Sequence, residues 1–457
     1  MKKLRLILTC ILMVSLVLSL AACGTAPAAS NATSAVAEKS TAAEEPAPTK
    51  PAEKVVLKYA IPLDAAQDTS WDKMINTANE LLAPKNIEIK PLRIAMKDWP
   101  DYYQKVVSMF AAGQGPDMGR AAERLMPSFI DKGQAMDITT QLGELDMSQY
   151  YDKTFMASSY SGGKYYGIPS GVYYYVMYFN KDLFDKAGLP YPSSDWSKPT
   201  TLDQIAEYAK KLTTGEGANK TFGFYCDPRP QHVGLISSLG GGDNAYDKDW
   251  NPTLNGESSK QVYRWFDTLL QGKLMPRPTD TRILGAGDMF IQGKLAMLIE
   301  GTWIVSRMSE VTNFKPGYAV IPSPVATNSE TLQFVDAFLI FSSTKYPKES
   351  WEAMKALVGK EGEMALATST VAGTSIFKEA NDKYMNETLA KMTTPEELKM
   401  FGDAMNRLRS MPYNVLWEES LAMVLNIRDE WLSGKMTPDA YADKAQELYL
   451  KVKSEAD

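Results

Sequence analysis

The chain has one histidine, His232, and three cysteines, Cys10, Cys23 and Cys226, and these limit the reactive chemistry it can support. A catalytic zinc site ordinarily draws on two or three histidines, and a Ser-His-Asp triad would have to be built on His232 alone. We read His232 as an ordinary loop residue. Cys10 falls in an apolar leader and Cys23 at its end. Cys226 therefore stands alone, with neither a disulfide partner nor a cysteine metal site expected. No GxGxxG or GxxxxGK(S/T) phosphate loop occurs. The 55 Asp and Glu residues show no spacing that singles out two carboxylates for cleaving a glycosidic bond. Binding, not catalysis, is the expected chemistry, and no metal or cofactor is implied. The residues that stand out are aromatic: 23 Tyr and 9 Trp, with Tyr173, Tyr174, Tyr175 and Tyr178 in one short stretch.

The elements that must position these rings alternate between strand and helix. Residues 55–61 form an apolar run that reads as a buried strand, and residues 71–82 have helical spacing through Trp71, Ile75, Ala78 and Leu82. Residues 86–94 read as a second strand with a break at Pro91. Residues 101–112 read as a helix that ends in a turn at Gly113-Gln114-Gly115-Pro116-Asp117. The Tyr-rich stretch reads as a strand, Thr201 as a helix N-cap, and residues 286–292 as a helix before a short strand and a turn with Trp303. From about Thr394 the period is helical. The alternation predicts an α/β sheet with helices on its faces, in which ligands bind beyond the carboxyl ends of the strands. At 457 residues the chain suits two domains.

The first 22 residues have a basic start, an apolar run and small residues, the pattern of a secretory signal. They carry +3, so the formal charge of -6 leaves the remainder near -9, which disfavours nucleic acid as a partner. Leu20-Ala21-Ala22-Cys23 resembles the bacterial lipobox, in which the peptide is cut before a cysteine that is then lipidated. Residues 24–54 contain no aromatic residue and are rich in Ala, Pro, Ser, Thr and Glu, as expected of a disordered tether.

Four stretches, in order, carry a wider resemblance. They are Phe110-Ala111-Ala112-Gly113-Gln114-Gly115-Pro116-Asp117; Gly163-Lys164-Tyr165-Tyr166-Gly167-Ile168-Pro169; Tyr178-Phe179-Asn180-Lys181-Asp182-Leu183-Phe184 with Ala187-Gly188-Leu189; and Phe290-Ile291-Gln292-Gly293-Lys294-Leu295-Ala296-Met297 with Gly301-Thr302-Trp303. Together they resemble the family 1 extracellular solute-binding proteins of ABC importers, similar in layout to the maltose- and multiple-sugar-binding proteins. The resemblance covers residues 55–457. It implies a two-lobe periplasmic-binding-protein-like fold of type II, with hinge crossovers and a ligand cleft between the lobes. It assigns residues 55–172 and 327–370 to the first lobe, and 173–326 and 371–457 to the second. Val335-Asp336-Ala337-Phe338-Leu339-Ile340 stands where many members have a Gly-rich segment, so the ligand transfers less securely than the fold.

A sugar offers hydroxyls for hydrogen bonds and an apolar C–H face for a flat ring, and a ring gives contact area at low entropic cost. By resemblance, Trp303 is the leading candidate for stacking. Tyr173 and Tyr174 fall just after the first crossover, and alternation along a strand lets only one of them face the cleft. Glu123 and Arg124 match an acid–arginine pair that bonds hydroxyls in the maltose binder. Trp71, Trp417 and Asp336 complete the candidates. The implied partners are a small-molecule carbohydrate, the permease subunits of an ABC importer, and a membrane reached through a lipid on Cys23, with the protein acting as a monomer on the extracellular face or the periplasmic side. Three alternatives stay open. The same fold would suit a charged or non-sugar solute such as a uronate, peptide or polyamine, with Arg120, Arg124 and Asp336 as its charged pocket. A secreted glycoside-acting enzyme and a sensory lipoprotein are the others.

Overall fold

The computed structural model describes residues 53–63, 71–151, 159–242, 244–247, 252–281, 284–369, 373–411 and 413–456. The expected signal segment, Cys23 and nearly all of the expected tether lie outside them. Ten strands are described: β1 (Val55–Leu63), β2 (Ile87–Ala95), β3 (Met118–Ala122), β4 (Tyr160–Ser161), β5 (Lys164–Tyr165), β6 (Ile168–Asn180), β7 (Met297–Gly301), β8 (Pro316–Ala319), β9 (Thr331–Ile340) and β10 (Leu408–Arg409). β4 and β5 form a separate hairpin, and the other eight strands form one sheet whose main path is β2-β1-β3-β9-β6-β7.

Two long strands make this sheet serve two lobes. All 13 residues of β6 are buried, in keeping with the apolar and aromatic run Val172–Phe179 at its centre. From Ile168 to Tyr174 it pairs antiparallel with β9. From Tyr175 onward it pairs with β7, and from Met177 with β8. β9 in turn pairs with β3 along Asp336–Ile340 and with β10 at Thr331 and Leu332. The chain therefore crosses between lobes on paired backbone, the arrangement of a two-lobe α/β binding fold.

In the first lobe β1 is buried on both faces from Tyr59 to Leu63 and flanked by parallel β2 and β3. The helices Asp72–Leu82 and Pro347–Val358 cover it with Met74, Ile75, Ala78, Leu82, Trp351, Met354 and Leu357. The break expected at Pro91 does not occur: β2 runs through it, with Pro91 in register with Tyr59. β2 is the sheet edge, where a missing backbone N–H on the open side costs no ladder bond.

The second lobe packs the helices Leu202–Leu212, Pro230–Leu239, Glu257–Gln271, Trp417–Leu432 and Pro438–Ala456 around the far half of β6. Thr201 caps the first of these in a capping box with Gln204, and Thr394 repeats the device with Glu397 at the helix Pro395–Ala404. His232 lies not in a loop but in the first turn of the helix Pro230–Leu239, which begins with a proline at its first position. Among the described residues no helix is long and apolar enough to cross a membrane.

Candidate ligand-binding cleft

A cleft of about 700 Å³ opens where β1, β3, β6, β7 and β9 converge. Trp303 is its most exposed large ring, at 41%. It sits in a short 3-10 turn, Thr302–Ile304, directly after β7. The turn is fixed from β6: the Tyr174 backbone N–H donates to Thr302 Oγ1 at 3.2 Å, and the Tyr178 hydroxyl donates to the Gly301 carbonyl at 2.8 Å. Trp303 then meets Tyr175 and Phe334 edge-on, at 5.7 and 5.6 Å between ring centroids, with Tyr173 at 6.4 Å. Such edge contacts hold a ring in place while leaving a face for a guest.

Strand alternation places the two adjacent tyrosines differently. Tyr173 lines the cleft, whereas Tyr174 is not among the lining residues. Tyr174 is buried against Phe401 and its hydroxyl donates to the Phe401 carbonyl at 3.3 Å.

The first-lobe wall contains Trp71, Trp99, Arg120, Glu123, Arg124 and, on β9, Asp336. The Arg120 guanidinium lies 4.5 Å from the Trp71 ring centre and 5.6 Å from that of Trp99, and it ion-pairs with Asp336. Its Nε donates to Ser170 Oγ at 3.3 Å, and Ser170 donates to the Asp336 carbonyl at 2.9 Å. Arg120 thus covers a face of Trp71, itself only 4% exposed. Glu123 follows β3 directly; burial, reinforced by the Asp336 charge, holds its carboxyl well above the usual range. Its Oε1 has no hydrogen-bond partner. Arg124 lies 3.2 Å from Glu418. Trp417 lines the cleft but is nearly fully buried, wedged between Tyr413 and Tyr246.

The second-lobe wall is a polar cluster that the sequence reading missed: Asp227, Arg229, His232, Glu300 and Arg428. Arg229 Nε donates to Asp227 Oδ2 at 2.7 Å, and Arg428 donates to the other carboxylate oxygen. Burial pushes Asp227 up, but the two guanidiniums outweigh it and hold the carboxyl down at about 2. Burial pushes Glu300 up to about 7, partly offset by the Gly301 N–H at 2.9 Å. Burial also pushes His232 down to about 4, so its ring is neutral at ordinary pH. Its Nδ1 lies 2.5 Å from the Asp227 carbonyl and must be the protonated nitrogen. Nε2 is then an acceptor, buried and without a partner. Gln231 Oε1 and Arg428 Nε are likewise buried in the lining without partners.

Aromatic rings and buried polar atoms without partners thus line one concave site, the make-up of an organic-ligand pocket. Residues 73–394 match the family of bacterial extracellular solute-binding proteins, and the chain belongs to that family. A protein of Brucella abortus named as a binding protein is 25% identical over 360 residues, which cover 78% of this chain and 82% of that one. The maltodextrin-binding protein MdxE of Bacillus subtilis is 26% identical over 256 residues, covering 54% of this chain and 56% of that protein. An ABC substrate-binding protein of Listeria monocytogenes, solved with cycloalternan, superposes with a TM-score of 0.77 at 20% identity, over 88% of this chain and all of that one.

Proposed function

We propose that this chain is the receptor of an ABC importer, that it captures an extracellular saccharide in the cleft around Trp303, and that it delivers it to the permease. The observation that carries the reading is the pairing of Trp303, set on Tyr175 and Phe334, with buried polar atoms of His232, Gln231 and Glu123 that lack partners in the same cleft. A sugar supplies an apolar face for the ring and hydroxyls for those atoms. The names of the relatives, one a maltodextrin binder, support the same solute class.

The lobes are taken as residues 55–172 with 327–370, and 173–326 with 371–457. The change of β6 partners between Tyr174 and Tyr175, two residues further on, supports a boundary in this part of the strand. Closure of the lobes brings Glu123 and Asp336 on one wall, and Asp227 and Trp303 on the other, onto one solute. Contacts made only in that state drive the closure, which the permease reads. The protein acts as a monomer and performs no covalent step on its ligand. Its lipidated Cys23 holds it at the membrane surface, where two or more acyl chains give stable anchoring. The tether lets the receptor reach solute and permease.

Thermal-shift screening against neutral and acidic oligosaccharides, peptides and polyamines tests this. A saturating saccharide at a hundred times its Kd stabilises by about 2.7 kcal/mol, a clear rise in Tm. A rise with a peptide or polyamine and with no saccharide overturns the carbohydrate reading. Product formation from a bound oligosaccharide overturns the receptor reading.

A further inference from the structure

We propose that the saccharide received by this cleft carries a carboxylate, and that Arg229, backed by Arg428, holds it; the inference rests on the carbohydrate reading of the same cleft. The described lining contains five arginines, no lysine and four carboxyl groups. Three of the arginines have their own counter-charges. Arg120 pairs with Asp336, Arg124 lies 3.2 Å from Glu418, and Arg307 pairs with Asp288 and Glu310. Arg229 and Arg428 share Asp227. Arg428 also reaches Asp429 at 3.3 Å, so Arg229 alone has no carboxylate to itself.

The other two cleft carboxyls do not pair with it. Neither Glu123 nor Glu300 forms an ion pair among the described residues, and burial favours the neutral form of each. Arg229 is therefore the cleft cation with the least compensation, its one partner Asp227 being shared with Arg428. Arg229 engages Asp227 through Nε, and among the described residues its two terminal nitrogens show no hydrogen bond. It is also more open than its two partners, with 36% of its side chain exposed against 21% for Asp227 and 15% for Arg428. A guanidinium presents its donors as a planar fork that matches the two oxygens of a carboxylate.

This cationic end adjoins the stacking end. Tyr175 spans them, with its ring centre 4.4 Å from that of His232 and 5.7 Å from that of Trp303. A sugar ring on Trp303 would thus present a carboxylate at its edge to Arg229, while His232 Nε2 accepts from a hydroxyl. A neutral saccharide would leave the open fork of Arg229 to be desolvated without an anionic partner as the cleft closes.

Isothermal titration of the purified protein with matched disaccharides tests this. Each pair differs only in whether a sugar C6 is a carboxylate or a hydroxymethyl, with glucose-, galactose- and mannose-based backbones. The tightest-binding backbone should prefer its acidic member at least tenfold, and the preference should shrink as salt rises. In Arg229→Gln the ratio between the two members should fall below about threefold, with Arg229→Lys intermediate and the melting temperature of both variants as the check on folding. A neutral member binding as tightly as its acid overturns the inference and leaves the carbohydrate reading standing. An acid preference that survives Arg229→Gln overturns the assignment to Arg229. If no saccharide of either kind binds, the carbohydrate reading fails and the inference fails with it.

Discussion

The ring of Trp303 folds back over Gly301 so closely that a Cβ on residue 301 would meet the ring carbons at 2.1 to 2.2 Å. Real Cβ contacts do not approach this, so only glycine permits the observed ring position. Gly301 has an extended backbone with φ -72° that any residue can adopt, so the constraint is steric contact and not backbone conformation.

Gly301→Ala should therefore displace the ring and leave the backbone in place. Because Trp303 is 41% exposed, the ring can swing toward solvent at small cost to the fold. Stacking of an aromatic pair contributes about 0.5–1.5 kcal/mol beyond buried area, and lost burial adds to that. The affinity for the best saccharide should fall about tenfold or more, with a melting temperature close to that of the unaltered protein. Titration calorimetry and thermal melts measure the two separately. Unchanged affinity would remove Trp303 from the site.

Asp336 lies between two neighbouring strands, with Ala122 on β3 and Gly171 on β6 as its partners in register. It holds the buried Arg120 guanidinium, which in turn covers Trp71. Asp336→Ala leaves that charge buried and unpaired, a defect of about 3–5 kcal/mol. The denaturation midpoint should drop accordingly. Asp336→Asn, which keeps an acceptor, should lose less. A midpoint that Asp336→Ala does not move would mean that water reaches the guanidinium.

Much of this fold is legible in the sequence because its signals are local. The apolar run at Val55, the Thr201 and Thr394 caps and the helix before Gly293 all act within a few residues of chain. Pro91 misleads because its effect depends on β2 being an edge, which only the assembled sheet decides. His232 shows a local signal that was overlooked, since Pro230 two residues earlier marks a helix start. Trp303 is legible through its Gly-x-Trp turn. The second-lobe cluster is not legible, because Asp227 and Arg428 meet across 201 residues of sequence and neither sits in a recognisable motif. The same holds for Phe334, whose role comes from sharing a strand face with Asp336 on β9.

Glu363 should contribute a pH dependence to the stability. The residue is fully buried in the helix Lys360–Leu366, and Ser375 Oγ donates to its Oε2 at 2.6 Å. Its Oε1 has no partner, and no cation pairs with it among the described residues. Burial raises its pKa from an ordinary 4.5 to about 8, slightly offset by the Ser375 hydroxyl. Between those two pH values the folded protein keeps a proton that the unfolded chain releases, so stability falls as the pH rises. The contribution is fully present below pH 4.5 and is lost by the time the pH has passed about 8, where the slope ends. The total change is on the order of a few kcal/mol, at 1.36 kcal/mol for each pH unit spanned. Glu363→Gln has no proton to lose and keeps an acceptor for Ser375. Relative to the unaltered protein it should gain melting temperature from pH 5 to about pH 8 and level off above that. Other titrating groups, Glu300 among them, act in both proteins and cancel in the difference. Parallel curves of melting temperature against pH would show that Glu363 ionises without penalty and that its surroundings are wet.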